Sequence, residues 1–289
     1  MPTAWPSGWD YNMLQKIRER VIRFAVRLCI IAGVTLMLTI SGCAGPPKER
    51  DTIFQYSSMN ALLEGVYDSD ITVSELAAHG DFGIGTFDSL DGEMIALDGT
   101  FYQIWADGKA YRITDAMKTP FAVVTFFRGV NAMYPKAALD FQGLTNYLDE
   151  MIPTKNIFYA VRVDGSFTRV KTRSVRKQQK PYPRLVDALK NQPEFELRNV
   201  RGTLVGFRCP AYAGNVNVPG YHLHFITEDR KAGGHVLELQ TDTVTARMEG
   251  VHEFHMVLPH NKSFYHSDLT KGKKAELEKV EKDGGTGSR

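Results

Sequence analysis

The stretch Gly220 to Val236 constrains the chain more than any other. Tyr221-His222-Leu223-His224-Phe225-Ile226 places imidazoles among aromatic and aliphatic side chains in the manner of a β-strand. A strand sends residues i and i+2 to one side, so His222 and His224 converge. Asp229-Arg230-Lys231-Ala232-Gly233-Gly234 is polar and glycine-rich and reads as a hairpin turn. The returning strand Val236-Leu237-Glu238-Leu239 then brings His235 beside His224. Three of the chain's eight histidines fall within these fourteen positions, a clustering that weighs against ordinary strand histidines. Three imidazoles that leave a coordination position open are the usual protein side of a catalytic zinc site. Neutral nitrogen ligands also suit iron, copper or nickel.

The 289 residues can bury a sizeable core, as two modest domains or one large one. The 43% hydrophobic and 24% charged fractions are those of a globular chain. The formal charge of +2 is set by the N-terminus: residues 1–42 carry five Lys/Arg against two Asp/Glu, leaving thirty basic and thirty-one acidic residues beyond. That balance offers no footprint for nucleic acid.

Lys16, Arg18, Arg20, Arg23 and Arg27 precede an uncharged, largely apolar run from Leu28 to Ile40. The run is short for a membrane span and suits the hydrophobic part of a signal peptide. It ends in Ile40-Ser41-Gly42-Cys43, which resembles a bacterial lipobox, so residues 1–42 are expected to be removed and Cys43 lipidated. Met1 or Met13 could be the start. On this reading the protein is exported and held at the membrane through Cys43, with 43–51 as a tether. Cys29 would leave with the leader, and Cys209, alone in the remainder, is expected to be a small buried residue without a disulfide.

Met59, Leu62 and Leu63 indicate a short helix within 52–67, and Thr72-Val73-Ser74-Glu75 has the form of a capping box. Phe82-Gly83-Ile84-Gly85-Thr86 alternates glycine with larger residues, as in a strand closely approached by another backbone. A meander follows, with strands at 93–96, 100–105, 109–113 and 121–127, and then a helix at 141–152. A hairpin is expected at 156–172, turning at Asp164-Gly165, with further strands at 195–200, 203–208, 241–248 and 253–258. The tail from 268 is charged and helix-prone. The expected class is α+β: two β-rich sub-domains on mixed or antiparallel sheets with a few short helices, 52–185 and 186–267, then a tail at 268–289.

Together these motifs resemble the α-acetolactate decarboxylase family. The likeness rests on Phe82-Gly83-Ile84-Gly85-Thr86-Phe87 leading to Leu90-Asp91-Gly92-Glu93-Met94, on Arg173-Ser174-Val175, and on Val218-Pro219-Gly220-Tyr221-His222-Leu223-His224-Phe225 with Gly234-His235. It implies a Zn2+ enzyme that converts 2-acetolactate to acetoin and carbon dioxide, with the metal between two β-rich sub-domains. It implies His222, His224 and His235 as ligands, Glu93 and Arg173 as polar active-site groups, and Thr86 in the pocket lining. It also implies an acidic residue from the tail near the metal, for which Glu276, Glu278 and Glu281 all qualify. A homodimer is one assembly open to such a chain.

The chemistry asks for the same groups. Loss of carbon dioxide leaves an electron pair that the neighbouring ketone must accept, and a Lewis acid at that oxygen lowers its cost. Arg173 suits the substrate's anionic part, and Glu93 suits orientation of the hydroxyl or delivery of a proton. Two other classes compete. A cupin-like metalloenzyme would need its last histidine further along the chain, after a Pro-x-Gly. A non-enzymatic metal- or ligand-binding lipoprotein would not need Glu93 and Arg173 at the metal.

Overall fold

The glycines at 83 and 85 show how tightly the first sheet is drawn. A Cβ on Gly83 would stand 2.2 Å from the Val123 carbonyl oxygen, and one on Gly85 2.4 Å from that of Phe121. The structure, a computed structural model, describes residues 51–129 and 131–282, with positions 13, 15, 16 and 18–23. The described positions of 13–23 are helical and form part of a separate N-terminal unit, Met1–Lys48; Glu49–Arg289 is the other unit. Cys43 and the apolar run before it lie outside the described residues. Among the described residues no helix is long and apolar enough to cross a membrane.

The second unit is built from Thr52–Tyr56 (β1), Phe82–Thr86 (β2), Glu93–Leu97 (β3), Thr100–Ile104 (β4), Ala110–Arg112 (β5), Ala122–Thr125 (β6) and Ala132–Met133 (β7). The later strands are longer: Phe158–Arg173 (β8), Glu194–Cys209 (β9), Gly220–Thr227 (β10) and Gly233–Val251 (β11), followed by Glu253–Val257 (β12). Among the described residues, seven strands form one sheet in the order β12-β1-β6-β2-β3-β4-β5, and five form a second in the order β10-β9-β8-β11-β7. The first is mixed, because β1 and β12 run parallel; the second is antiparallel. Strand β10 also pairs with β11, so the second sheet closes on itself at the histidine hairpin. The α+β expectation therefore holds. The sheets interleave in sequence: β8 precedes residue 185 yet belongs to the second sheet, and β12 follows 186 yet belongs to the first.

Short helices fill the remainder: Met59–Leu63 (α1), Val73–Ala77 (α2), Phe141–Met151 (α3), Leu185–Ala188 (α4), Lys262–His266 (α5) and Lys274–Lys282 (α6). Thr72 and Glu75 form the expected capping box at α2. The short helix expected within 52–67 is Met59–Leu63, and the fully buried Thr52–Tyr56 before it is a strand.

The hairpin expected at 156–172 does not form, and the strands expected at 195–200 and 203–208 are one. Residues 158–173 are one strand, with Asp164 and Gly165 facing Thr203 and Gly202 in mid-ladder, and 194–209 are another. Gly165 and Gly202 are needed for close approach instead of reversal: a Cβ on the first would stand 2.2 Å from the Thr243 carbonyl oxygen, and one on the second 2.3 Å from the Phe225 ring. Likewise 241–248 is part of the nineteen-residue β11, whose register shifts between Val236 and Val244 let it bend. A large core cluster draws on both sheets, with Ile84, Ile95 and Val123 packed in one group with Val205 and Phe207. Cys209 is buried and free, as expected, and burial pushes its thiol up to about 12.

Candidate active site

The hairpin of β10 and β11 sets His224 directly opposite His235, and His222 lies two residues before. The ring centroids are 5.0 to 5.4 Å apart, and one nitrogen from each ring can be chosen so that all three lie within 4.8 Å of one another. All three side chains are buried. Burial is also the first cause of their lowered basicity, with the positive charge of Arg173 adding to it. His222 falls to about 3, and His224 and His235 fall well below the usual histidine value. The rings are thus neutral, the form that binds a metal.

Strand β3 of the other sheet reaches the same point. His224 Nδ1 donates to the Met94 carbonyl oxygen at 2.9 Å, which makes Nδ1 the protonated nitrogen and leaves the Nε2 lone pair without a hydrogen-bond partner. Glu93 places Oε2 3.6 Å from that Nε2. Gly92 allows the approach: its φ is +85°, and a Cβ there would stand 2.3 Å from the Ile104 carbonyl oxygen. Thr86, paired with Glu93 across the β2–β3 ladder, donates its hydroxyl to the Gly92 carbonyl at 2.7 Å. Its hydroxyl can therefore only accept from a ligand.

Arg173 stands opposite His235 on β8 and is buried. Its Nη1 donates to Gln192 Oε1 at 3.2 Å and to the Val280 carbonyl oxygen, while Nε has no hydrogen-bond partner. Glu281, the next residue on α6, puts Oε2 3.8 Å from His235 Nε2 and 4.0 Å from His222 Nε2. This selects among the three tail carboxylates: Glu276 is ion-paired to Arg184, and Glu278 is exposed. Burial pushes the Glu93 carboxyl up to about 7, against the pull of Arg173 and with some help from Glu281. Burial raises Glu281 to about 7 as well, again against Arg173.

Thr86, Glu93, Arg173, His222, His235 and Glu281 line one cavity of about 40 Å³, walled by apolar side chains that include Met59, Leu62, Leu90 and Leu185. Glu281, Gln192 and the Met94 carbonyl were not individually marked by sequence. A helical stripe at Lys273, Glu276, Leu277, Val280 and Glu281 would have favoured Glu281 over Glu278.

The residues fit a divalent cation. His222 Nε2 and His235 Nδ1 lie 3.2 Å apart, and ligand nitrogens on a tetrahedral zinc are separated by roughly 3.4 Å. The lone pair on His224 Nε2 faces a carboxylate oxygen, an arrangement that needs a proton or a cation between them. The His224 contact to a backbone carbonyl is the support that metal-bound histidines commonly have.

Fold and cavity together define an α+β protein with a buried three-histidine, two-carboxylate centre suited to metal-assisted catalysis. The family model for alpha-acetolactate decarboxylase matches residues 53–271. An alpha-acetolactate decarboxylase from Methanosarcina mazei is 51% identical over 232 residues, 80% of this chain and 81% of the relative. One from Brevibacillus brevis is 41% identical over 283 residues, covering 92% and 99%. The crystal structure of alpha-acetolactate decarboxylase from Bacillus subtilis strain 168 superposes with a TM-score of 0.79 at 41% identity, over 80% of this chain and all of that one. The chain belongs to the alpha-acetolactate decarboxylase family and is a carboxy-lyase.

Proposed function

We propose that the chain decarboxylates 2-acetolactate to acetoin at the cavity between β3 and the β10–β11 hairpin, with His222, His224 and His235 holding a zinc ion. The observation that carries this reading is the convergence of His222, His235, Glu93, Glu281 and Arg173 on one cavity, with His224 completing the histidine cluster beside Glu93. A binding module would not need Glu93 and Arg173 at the metal ligands.

When bound, zinc would supply Lewis acidity at the substrate's ketone and hydroxyl oxygens. Arg173, with its unpartnered Nε–H, is placed to bind the substrate carboxylate and orient the bond that breaks. As that C–C bond cleaves, its electron pair moves into the adjacent carbonyl, carbon dioxide leaves, and an enediolate remains. Its carbon then takes a proton. Glu93, raised by burial to about 7, can hold a proton near neutral pH and deliver it from one face, giving one acetoin enantiomer. The apolar wall excludes water, and Thr86 accepts a hydrogen bond from substrate while keeping the Gly92–Glu93 turn in place.

The test is acetoin formation from racemic 2-acetolactate by residues 44–289, before and after chelation and zinc return. Activity lost on chelation and restored by zinc is expected. Bound zinc without acetoin would overturn the substrate. We also propose that the protein lies outside the cytoplasm, anchored through Cys43, because the apolar run 28–40 ends in Ile40-Ser41-Gly42-Cys43, a lipoprotein pattern. Radiolabelled palmitate should enter the wild type but not Cys43→Ser, and equal labelling of both would refute the anchor.

A further inference from the structure

Glu281 reaches the site from a nine-residue helix near the end of the chain, and a helix that short is marginal without partners. Its inward stripe has two kinds of contact. Leu277 and Val280 are buried in the core, where apolar contact is non-directional and tolerates sliding. The charged members of the stripe are more exacting. Glu276 accepts from Arg184, Arg184 also donates to Glu64 at 2.9 Å, and Glu64 accepts from Lys273, whose side chain is only 9% exposed. Glu64 caps the C-terminus of α1, which carries Met59 and Leu62 in the cavity wall, and Arg184 immediately precedes Leu185 of the same wall. Four charges thus join the three helices that surround the cavity.

We propose that Arg184, held between Glu64 and Glu276, is a positioning residue that sets where Glu281 stands in the active site. A slip of α6 by one turn would move Glu281 about 5.4 Å, more than its 3.8 Å separation from His235. The alternating signs of Lys273, Glu64, Arg184 and Glu276 match only in the observed alignment. The inference rests on the reading of Glu281 as a group of the site.

A double-mutant cycle tests it: Arg184→Met, Glu281→Gln and the pair, each read by kinetics and by hydrogen exchange of 274–282 in metal-free protein. Arg184→Met is expected to lower kcat on the order of tenfold to a hundredfold while KM stays within about twofold. It should speed exchange in α6, with Arg184→Lys recovering part of both losses. In the Glu281→Gln background the same substitution should leave kcat unchanged. Equal losses in both backgrounds, or unaltered exchange and kcat in Arg184→Met, would overturn the proposal. If Arg184→Met fails to fold, Glu276→Gln removes the same contact from the tail side and carries the same expectations. An inert Glu281→Gln would instead sink the role given to Glu281, an outcome distinct from failure of the clamp.

Discussion

At residue scale the site depends on side chains whose ordinary chemistry has been altered by burial. Arg173 shows why residue type matters: one guanidinium donates to Gln192 and to the Val280 carbonyl and still keeps Nε–H free. Lysine keeps the charge but not the planar fork. Arg173→Lys should lower kcat/KM on the order of a hundredfold or more, and a loss below about threefold would remove Arg173 from the transition state. The carboxyls respond to pH in the opposite sense from the histidines. Glu281 has its ordinary value of 4.5 raised to about 7, so its contribution to stability is complete below 4.5 and is lost as pH rises through 7. His222, lowered from 6.5 to about 3, contributes fully above 6.5 and loses that contribution as pH falls toward 3. Metal-free Glu281→Gln should therefore melt several degrees higher relative to wild type at pH 8 than at pH 5, by calorimetry. An offset that does not change with pH would mean that Glu281 is not ionised against a burial penalty.

At the scale of elements, the spacing of neighbouring strands positions the three histidines. Gly206 on β9 faces Leu223 on β10, and a Cβ there would stand 2.0 Å from the His222 carbonyl oxygen. Gly206→Ala should push β10 outward, costing about 1–3 kcal/mol and weakening zinc binding in a chelator competition. Unchanged zinc affinity would show that the hairpin holds its geometry without β9. Much of this level was legible beforehand. The capping box at Thr72, the meander from Glu93 and the hairpin at Asp229–Gly234 are local patterns stabilised by local contacts. Strand β8 does not show itself locally, because Asp164-Gly165 has the composition of a turn, whereas its glycine serves a ladder between two neighbours. No local pattern distinguishes a glycine that reverses the chain from one that admits another backbone.

Over the whole molecule, the centre joins two sheets. Met94 and Glu93 come from the first, the histidines and Arg173 from the second, and Glu281 from the tail. A cation bound there should stabilise the entire unit, because it binds the folded chain and finds no assembled site in the unfolded one. At a free zinc concentration a hundred times Kd the gain is about 2.7 kcal/mol. Zinc should therefore raise the Tm of wild type by several degrees and leave His235→Ala nearly unmoved. Equal shifts in both would place zinc elsewhere. The sequence by itself determined the histidine triad, because His222, His224 and His235 lie on one hairpin whose turn is local. It also carried the family's motifs, including Glu93 and Arg173, in recognisable form. Only the tertiary structure decided that Glu281 is the tail carboxylate at the site, that Met94 fixes the protonated nitrogen of His224, and that Gln192 holds Arg173. Those contacts span 19 to 130 positions of chain or depend on the docking of α6. They arise when apolar burial brings the sheets and tail together, and no local pattern of residues specifies that arrangement.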